Sequence, residues 1–149
     1  MRAIIQVVKQ ASVQVCDQEV GSINNGFLVL LAVKTGDSEV QARKMADKIA
    51  NLRLFIDEQA KMNLSLLDQK YSVLLVSQFT LYGDCRKGNR PSFIESARPE
   101  DARPLFDLVA DYLRALGLTV ATGSFGDYMQ VNLINDGPTT IILEVWVMI

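Results

Sequence analysis

The residues 77–80 place hydroxyl and amide groups directly after an unbroken apolar run, 73–76. Such a run predicts a strand that is covered on both faces. Hydroxyl and amide groups stand here where a buried strand would normally carry aliphatic side chains. A buried strand that becomes polar at one end is a rigid support for a site, and we expect its side chains to alternate between two faces through residue 82. The candidate site residues are therefore Ser77, Gln78, Phe79 and Thr80.

The chain contains no histidine. This excludes Ser-His-Asp and Cys-His nucleophile systems and histidine metal ligation, and it removes the usual base of neutral pH. Thr80 would need a base to act as a nucleophile, and the sequence offers only Asp84 or a lysine of unknown position. A hydrogen-bonding or backbone role for Thr80 is favoured. Cys16 and Cys85 lack the spacing of a metal site, so we expect no metal and no other cofactor.

The residues 135–140, Asn-Asp-Gly-Pro-Thr-Thr, lie between two predicted strands. Asn, Asp, Gly and Pro are turn-forming residues, so the simplest interpretation is a hairpin. An X-Pro bond is cis in only about 5% of cases, but a tight turn raises that frequency. A cis Gly137-Pro138 bond would orient the neighbouring carbonyl groups rigidly and could serve as a steric wall.

Other polar and apolar residues have two possible roles each. Gln78 could serve a site or end a strand, and Phe79 could serve a site or be a buried aromatic, which is more common. Met129 could line a pocket, although its alternation with 131 and 133 favours a core position. The loop 85–98 carries Arg86, Lys87 and Arg90, which could contact phosphates or simply be solvated.

The 149 residues suit one domain, residues 1–149. Strand signals at 2–8, 12–16, 19–23 and 27–33 precede a helix that begins after Ser38, with Gln41 completing a capping box. Its apolar stripe is predicted to continue through Ile56. A second helix should begin near Pro104 and end at Gly117. With the central strand and strands at 118–122, 128–134 and 139–147, the fold class is α+β.

Charge and cysteine content limit the partners and the compartment. A net charge of −2 argues against a strongly basic nucleic-acid coat, so we expect no DNA partner. The apolar segments are too short for a membrane span or a signal peptide, so we expect no membrane partner. Two cysteines without a framework indicate a reduced, cytoplasmic protein.

The residues 77–81, Ser-Gln-Phe-Thr-Leu, together with 135–140 resemble the motif pair of the D-aminoacyl-tRNA deacylases, the D-tyrosyl-tRNA deacylase family. Further matches run along the chain at 61–64, 90–93, 122–126 and 129–131. Either motif alone would be weak, whereas both at this separation are specific.

The resemblance implies a homodimer with antiparallel-rich, barrel-like sheet layers and two main helices on one side. It implies hydrolysis of the ester that joins a D-amino acid, or glycine, to the 3′ end of tRNA, so that D-aminoacyl-tRNA and glycyl-tRNA are the expected partners. The implied catalytic residues are Ser77, Gln78, Phe79 and Thr80, and backbone N–H groups near Phe79 and Thr80 would hold the developing oxyanion. Gln78 could position water or ribose, and Phe79 could stack on adenine. A vicinal ribose hydroxyl would help to activate water, so the reaction would depend mainly on positioning. The turn of each subunit would exclude L-amino acids from the partner's pocket. The residues implied in substrate binding and in this chiral filter are Gly137, Pro138, Asn135, Thr140, Met129 and Leu81.

The chain departs from the family at one position and leaves two rival interpretations open. Val7 stands where the family normally has an arginine that helps to orient the Gly-Pro turn, and Lys9 is the candidate substitute by strand parity. One rival is a catalytically silent dimer of the same fold that binds tRNA or protein. The other is a hydrolase with Thr80 or Cys85 as nucleophile.

Overall fold

The computed structural model, which describes residues 1–147, contains three successive strands at its start and further strands and helices after them. The strands are β1 (Arg2–Val15), β2 (Gln18–Ile23), β3 (Gly26–Ala32), β4 (Phe55–Ile56), β5 (Met62–Leu64), β6 (Ser72–Ser77), β7 (Thr119–Thr122) and β8 (Gln130–Glu144). The helices are α1 (Glu39–Asn51), α2 (Leu66–Gln69) and α3 (Pro99–Ala115), and a 3₁₀ turn covers Phe79–Tyr82. The predicted α+β class is confirmed.

The long strand β1 organises the main sheet. One edge of β1 pairs antiparallel with β3 and then with β2, and the other edge pairs antiparallel with β8. Strand β6 joins β3 in parallel, and β7 joins β6 in parallel. Strand β2 then approaches β7 so closely that a Cβ on Gly21 would lie 2.6 Å from the Thr122 carbonyl oxygen. The sheet therefore curls into a nearly closed barrel, and glycine permits the close approach.

Two apolar clusters cover the two faces of β6. Val73 and Leu75 belong to the cluster that also contains the buried side chains of α1 and α3. Leu74 and Val76 belong to a second cluster, formed by strand residues on the inner side of the barrel. Burying each of these side chains contributes about 1.5–3 kcal/mol. The prediction of a strand covered on both faces is confirmed, as is the packing of two main helices on one face.

The helix boundaries differ from the sequence predictions in two places. The capping box of α1, formed by Ser38 and Gln41, is present. The helix nevertheless ends at Asn51, so the prediction that Ile56 continues its buried stripe is wrong, and Ile56 lies exposed in β4. Helix α3 begins at Pro99, five residues before the predicted start. A proline costs little at the first helical position, and Pro104 inside the helix forfeits one backbone hydrogen bond.

Three strand predictions also need correction. The segments predicted as separate strands at 2–8 and 12–16 are parts of β1. The segments around 128–134 and 139–147 are not the arms of a hairpin, because both pair with β1 as parts of β8. Residues 79–82 form a 3₁₀ turn rather than a strand, so the predicted alternation of faces through residue 82 is wrong.

No helix within residues 1–147 is long and apolar enough to cross a membrane. Over the same residues, no group of three or more Cys, Asp and Glu side chains is arranged to hold a metal ion.

Candidate active site

The 3₁₀ turn at the end of β6 brings the predicted catalytic residues together. Gln78 leaves the strand conformation with φ −147° and ψ 75°, while its N–H still donates to the Leu31 carbonyl at 2.8 Å. The sheet is thereby extended by one hydrogen bond before the chain turns. Phe79 and Thr80 then lie on the surface, and 56% of Phe79 is exposed.

Each carbonyl of residues 78–81 has a donor, whereas the N–H groups of Phe79 and Thr80 have no acceptor in the described part of the chain. The donors are the Leu81 N–H to the Gln78 carbonyl (3.2 Å), the Ser96 hydroxyl to Phe79 (2.9 Å), the Gly83 N–H to Thr80 (2.9 Å) and the Arg2 guanidinium to Leu81 (2.7 Å). Among residues 1–147, none accepts a hydrogen bond from the N–H of Phe79 or Thr80. Two adjacent backbone donors are therefore free on the surface, next to each other in sequence, and can bind an anionic oxygen.

The hydroxyl of Thr80 is not paired with a base. Its hydrogen-bond partner is the side-chain amide of Gln78, which cannot take up a proton at neutral pH. The sequence offered Asp84 as a base, but the Arg86 guanidinium binds both of its carboxylate oxygens, at 2.9 and 2.7 Å. These hydrogen bonds lower the pKa of Asp84 to about 2. In the described part of the chain, the threonine hydroxyl therefore lacks the activation that a nucleophile needs.

Apolar side chains flank the two free donors. Phe79 meets Phe93 edge to face, with ring centroids 5.2 Å apart, and much of both rings remains accessible. Leu81 is half-buried. Met129, also half-buried, packs beside Val76 at the end of β6 and accepts the Ser124 N–H at 3.3 Å. The expectation of a buried Phe79 is wrong, because more than half of this residue is exposed to solvent.

Of the three cations Arg86, Lys87 and Arg90, one is in an ion pair and two are not, within residues 1–147. Arg86 is held by Asp84 at 2.7 Å, although its side chain extends into solvent. Lys87 and Arg90 are exposed and form no ion pair with any residue between 1 and 147. Cys85 is an exposed free thiol. Sequence analysis placed these residues in one loop, and the structure leaves Lys87 and Arg90 available to phosphates.

The second motif forms a bulge in β8. Gln6 pairs with Thr140 and Val8 with Asn135, so residues 136–139 loop out opposite Val7. The Gly137-Pro138 bond is cis, as expected, and both residues are exposed. Gly137 has φ +125°, and a Cβ there would lie 2.6 Å from the Thr139 hydroxyl oxygen, so this position requires glycine.

Two side chains contact the base of this bulge. The amide of Asn135 donates to the Val7 carbonyl at 2.9 Å and to the Thr139 carbonyl at 3.0 Å. The hydroxyl of Thr140 accepts from the Gln6 amide at 3.3 Å. The side chain of Val7 is only 7% exposed and belongs to the core.

Lys9 does not share the environment of Val7. The register of β1 against β8 shifts on both sides of Val8, so the side-chain alternation does not continue to Lys9, which is exposed. The prediction that strand parity places Lys9 as a substitute for the family's arginine is therefore wrong within one protomer.

The turn and the bulge of this chain are separated on the sheet. The order β8-β1-β3-β6 places β1 and β3 between them, which is three strand spacings, or about 14 Å. A groove of about 370 Å³ between β2, β1 and β8 is lined by residues such as Gln10, Ser12 and Asn132, and it includes none of the predicted site residues. The candidate site is thus an open surface of the chain.

The model of a family described as D-Tyr-tRNA(Tyr) deacylase matches residues 4–144. The chain belongs to this family. A protein of Roseiflexus sp. (strain RS-1) named D-aminoacyl-tRNA deacylase is 56% identical over 144 residues, which cover 97% of this chain and 93% of that protein. A protein of the same name from Brevibacillus brevis is 52% identical, over 97% of this chain and 99% of that protein.

Two solved structures share the fold of this chain. One called c-Myc DNA Unwinding Element Binding Protein superposes with a TM-score of 0.92 and 39% sequence identity, over 99% of this chain and 100% of that one. Another, of a probable eukaryotic D-amino acid tRNA deacylase, has a TM-score of 0.83 at 18% identity over 97% and 98% of the two chains, and so shows the shared fold alone.

Sequence reasoning missed two residues that bind the turn. Arg2 and Ser96 lie 79 and 17 positions from their carbonyl partners. Neither belongs to a motif, and only the fold brings them to the turn.

Proposed function

We propose that this protein hydrolyses the ester bond between a D-amino acid, or glycine, and the 3′ end of tRNA. The observation that carries the proposal is the pair of free N–H groups at Phe79 and Thr80, in a segment where each carbonyl of residues 78–81 has a donor. Removing one such donor from an oxyanion site typically slows catalysis by about 10²–10³. Family membership supplies the class of substrate.

The proposed reaction needs no protein nucleophile. The carbonyl oxygen of the ester accepts hydrogen bonds from both N–H groups, and water adds to the carbonyl carbon as a ribose hydroxyl next to the ester takes part in its activation. The tetrahedral intermediate then collapses, and the esterified ribose oxygen leaves with a proton. Free amino acid and tRNA are the products. Because an aminoacyl ester is already activated, positioning and charge stabilisation suffice.

The proposed chiral filter is the bulge at residues 136–139, presented to the site of a second copy. The exposure of Gly137 and Pro138 and their separation from the turn of their own protomer support this arrangement. Apolar side chains near β8 also remain uncovered, with Ile142 68% and Trp146 59% exposed. An apolar area of this kind favours association, and we propose a homodimer.

Two surface features suit the tRNA end. The exposed ring of Phe79 can stack on the terminal adenine, and Lys87 and Arg90 can contact phosphates. With tRNA as its substrate, the protein would act in the cytoplasm.

Incubation with D-tyrosyl-tRNA tests the proposed activity. We expect release of D-tyrosine, with Thr80→Val retaining most of the activity because the hydroxyl lacks a base. A silent tRNA-binding dimer would retain the tRNA on a filter without releasing amino acid. A Thr80 nucleophile would give a trapped acyl-enzyme and an inactive Thr80→Val variant, and a Cys85 nucleophile would be inactivated by thiol alkylation.

A mixed dimer tests whether the bulge acts across subunits. One chain carries Phe79→Pro, which removes a free N–H, and the other carries Gly137→Ala, which distorts the bulge. Co-expression with two affinity tags isolates the mixed form. If the bulge serves the partner, one site of each mixed dimer combines an intact turn with an intact bulge, and selectivity for the D-ester returns. If the bulge serves its own protomer, no such site forms, and the proposal of a cross-subunit filter fails.

A further inference from the structure

A serine outside both motifs controls one of the two proposed oxyanion donors. The Ser96 hydroxyl donates a hydrogen bond to the Phe79 carbonyl at 2.9 Å. That carbonyl and the Thr80 N–H belong to the same peptide group. In a planar trans peptide, the C=O and N–H bonds point in opposite directions. The hydroxyl that holds the oxygen therefore also sets the direction of the N–H.

Ser96 is itself held against an extension of β3. The Ala97 N–H donates to the Val33 carbonyl at 3.0 Å, and the Thr35 N–H donates to the Glu95 carbonyl at 3.0 Å. The Thr35 hydroxyl adds a bond to the Ser96 carbonyl at 3.3 Å. Val33 lies in the core, so this path joins the hydroxyl to a rigid part of the sheet.

The other donor does not depend on a side chain. The Phe79 N–H shares its peptide group with the Gln78 carbonyl, which accepts the Leu81 N–H at 3.2 Å within the turn. Only the peptide between Phe79 and Thr80 is held from outside by a hydroxyl. A hydrogen bond to a carbonyl also polarises the amide and strengthens its N–H as a donor.

We propose that Ser96 is a positioning residue for the hydrolysis, which it serves by aiming the Thr80 N–H at the ester oxygen. The inference rests on the proposed function above. Ser96 touches no reacting atom in this account. Its effect should therefore appear in the rate of the chemical step more than in substrate binding.

The kinetic test compares Ser96→Ala with Ser96→Thr, which keeps the hydroxyl, and with Ser22→Ala on exposed β2. Because Ser96→Ala misaligns a donor whose removal would cost about 10²–10³, we expect kcat on D-tyrosyl-tRNA to fall about tenfold, with KM within about twofold. Ser96→Thr should recover most of the rate, and Ser22→Ala should match the wild type. An unchanged kcat in Ser96→Ala, or a rate loss that follows a large fall in melting temperature, would overturn the inference.

An amide NMR spectrum tests the same link without turnover. Ser96→Ala should move the Thr80 N–H resonance and leave that of an amide in α1 unmoved, while Ser22→Ala should leave both in place. If the wild type releases no D-tyrosine, the proposed function fails. The shift of the Thr80 N–H resonance in Ser96→Ala would still show whether Ser96 positions that N–H. If the wild type is active and the Thr80 resonance does not respond to Ser96→Ala, the positioning role alone is wrong.

Discussion

The side-chain amide of Asn135 donates to the Val7 carbonyl, 2.9 Å away on the neighbouring strand. The same amide donates to the Thr139 carbonyl at 3.0 Å, at the other end of residues 136–139. One side chain thus closes the neck of the bulge at the point where β1 and β8 lose their register. The bulge is therefore held by hydrogen bonds at its base, although its tip is exposed.

Asn135→Ala should loosen the bulge and weaken discrimination between mirror-image substrates. The change leaves two carbonyls without their donor, which costs about 1–3 kcal/mol for each group that remains buried. We expect a lower melting temperature and faster hydrolysis of L-tyrosyl-tRNA, with the rate on the D-ester little changed. Asn132→Ala, at an exposed position of the same strand, is the control. Undiminished selectivity in Asn135→Ala would contradict a bracing role.

Phe79→Pro should abolish one proposed oxyanion donor with little change of backbone. Phe79 is the first residue of the 3₁₀ turn, where its N–H is free and a proline fits. Gln78, with φ −147° and ψ 75°, already lies outside the helical conformation that a following proline disfavours. We expect kcat about 10²–10³ below that of Phe79→Ala, which loses the same ring but keeps the N–H. Equal rates in the two variants would show that this N–H is not used.

Arg2→Met should weaken the far end of the turn. The guanidinium binds Glu144 at 2.6 Å and the Leu81 carbonyl at 2.7 Å, and it lies 4.7 Å from the centre of the Tyr82 ring. Since the side chain is partly buried, we expect a loss of about 2 kcal/mol in stability and a lower kcat. Arg2→Lys should be intermediate, because an ammonium cannot span both acceptors in the same geometry.

The control for Arg2 is Arg114→Met. Arg114 also joins a carboxylate and a carbonyl, at Asp111 and Val120, but it lies at the end of α3. The Arg114→Met variant should be less stable than the wild type but should keep its kcat. Chemical denaturation and steady-state kinetics of the three variants separate the two effects, and a kcat that falls equally in Arg114→Met would contradict a specific role for Arg2.

The pair of Asp84 and Arg86 should persist to low pH. Hydrogen bonds from the Arg86 side chain and backbone hold the pKa of Asp84 at about 2, below its ordinary value of 3.8. A carboxyl group whose folded pKa is depressed stabilises the fold above pH 3.8, and this contribution is lost as the pH falls through about 2. The carboxyl ¹³C resonance of Asp84 should therefore titrate near pH 2 in the wild type and nearer to 3.8 in Arg86→Met. A midpoint near 3.8 in both proteins would show that the pair does not form in solution.

The sequence predicted the elements with strong local signals. Three predicted features depend only on neighbouring residues, and the structure contains each of them. They are the apolar run of β6, the capping box at Ser38 and the glycine that follows α3, Gly117. The bulge was misread as a hairpin, because turn-forming residues do not show whether the strands that follow them pair with each other or with a third strand. Contacts between residues far apart in the sequence could not be predicted. The main examples are the hydrogen bonds of Arg2 and Ser96 to carbonyl groups of the turn.

The paired rates on D- and L-tyrosyl-tRNA test the central claim most directly. Both esters are prepared on the same tRNA and incubated with excess wild-type protein, so that a single turnover is followed for each. The account predicts rapid release of D-tyrosine, with the L-ester decaying only at its spontaneous rate. Equal rates on the two esters would contradict the chiral filter, and spontaneous decay of both would contradict the hydrolysis itself.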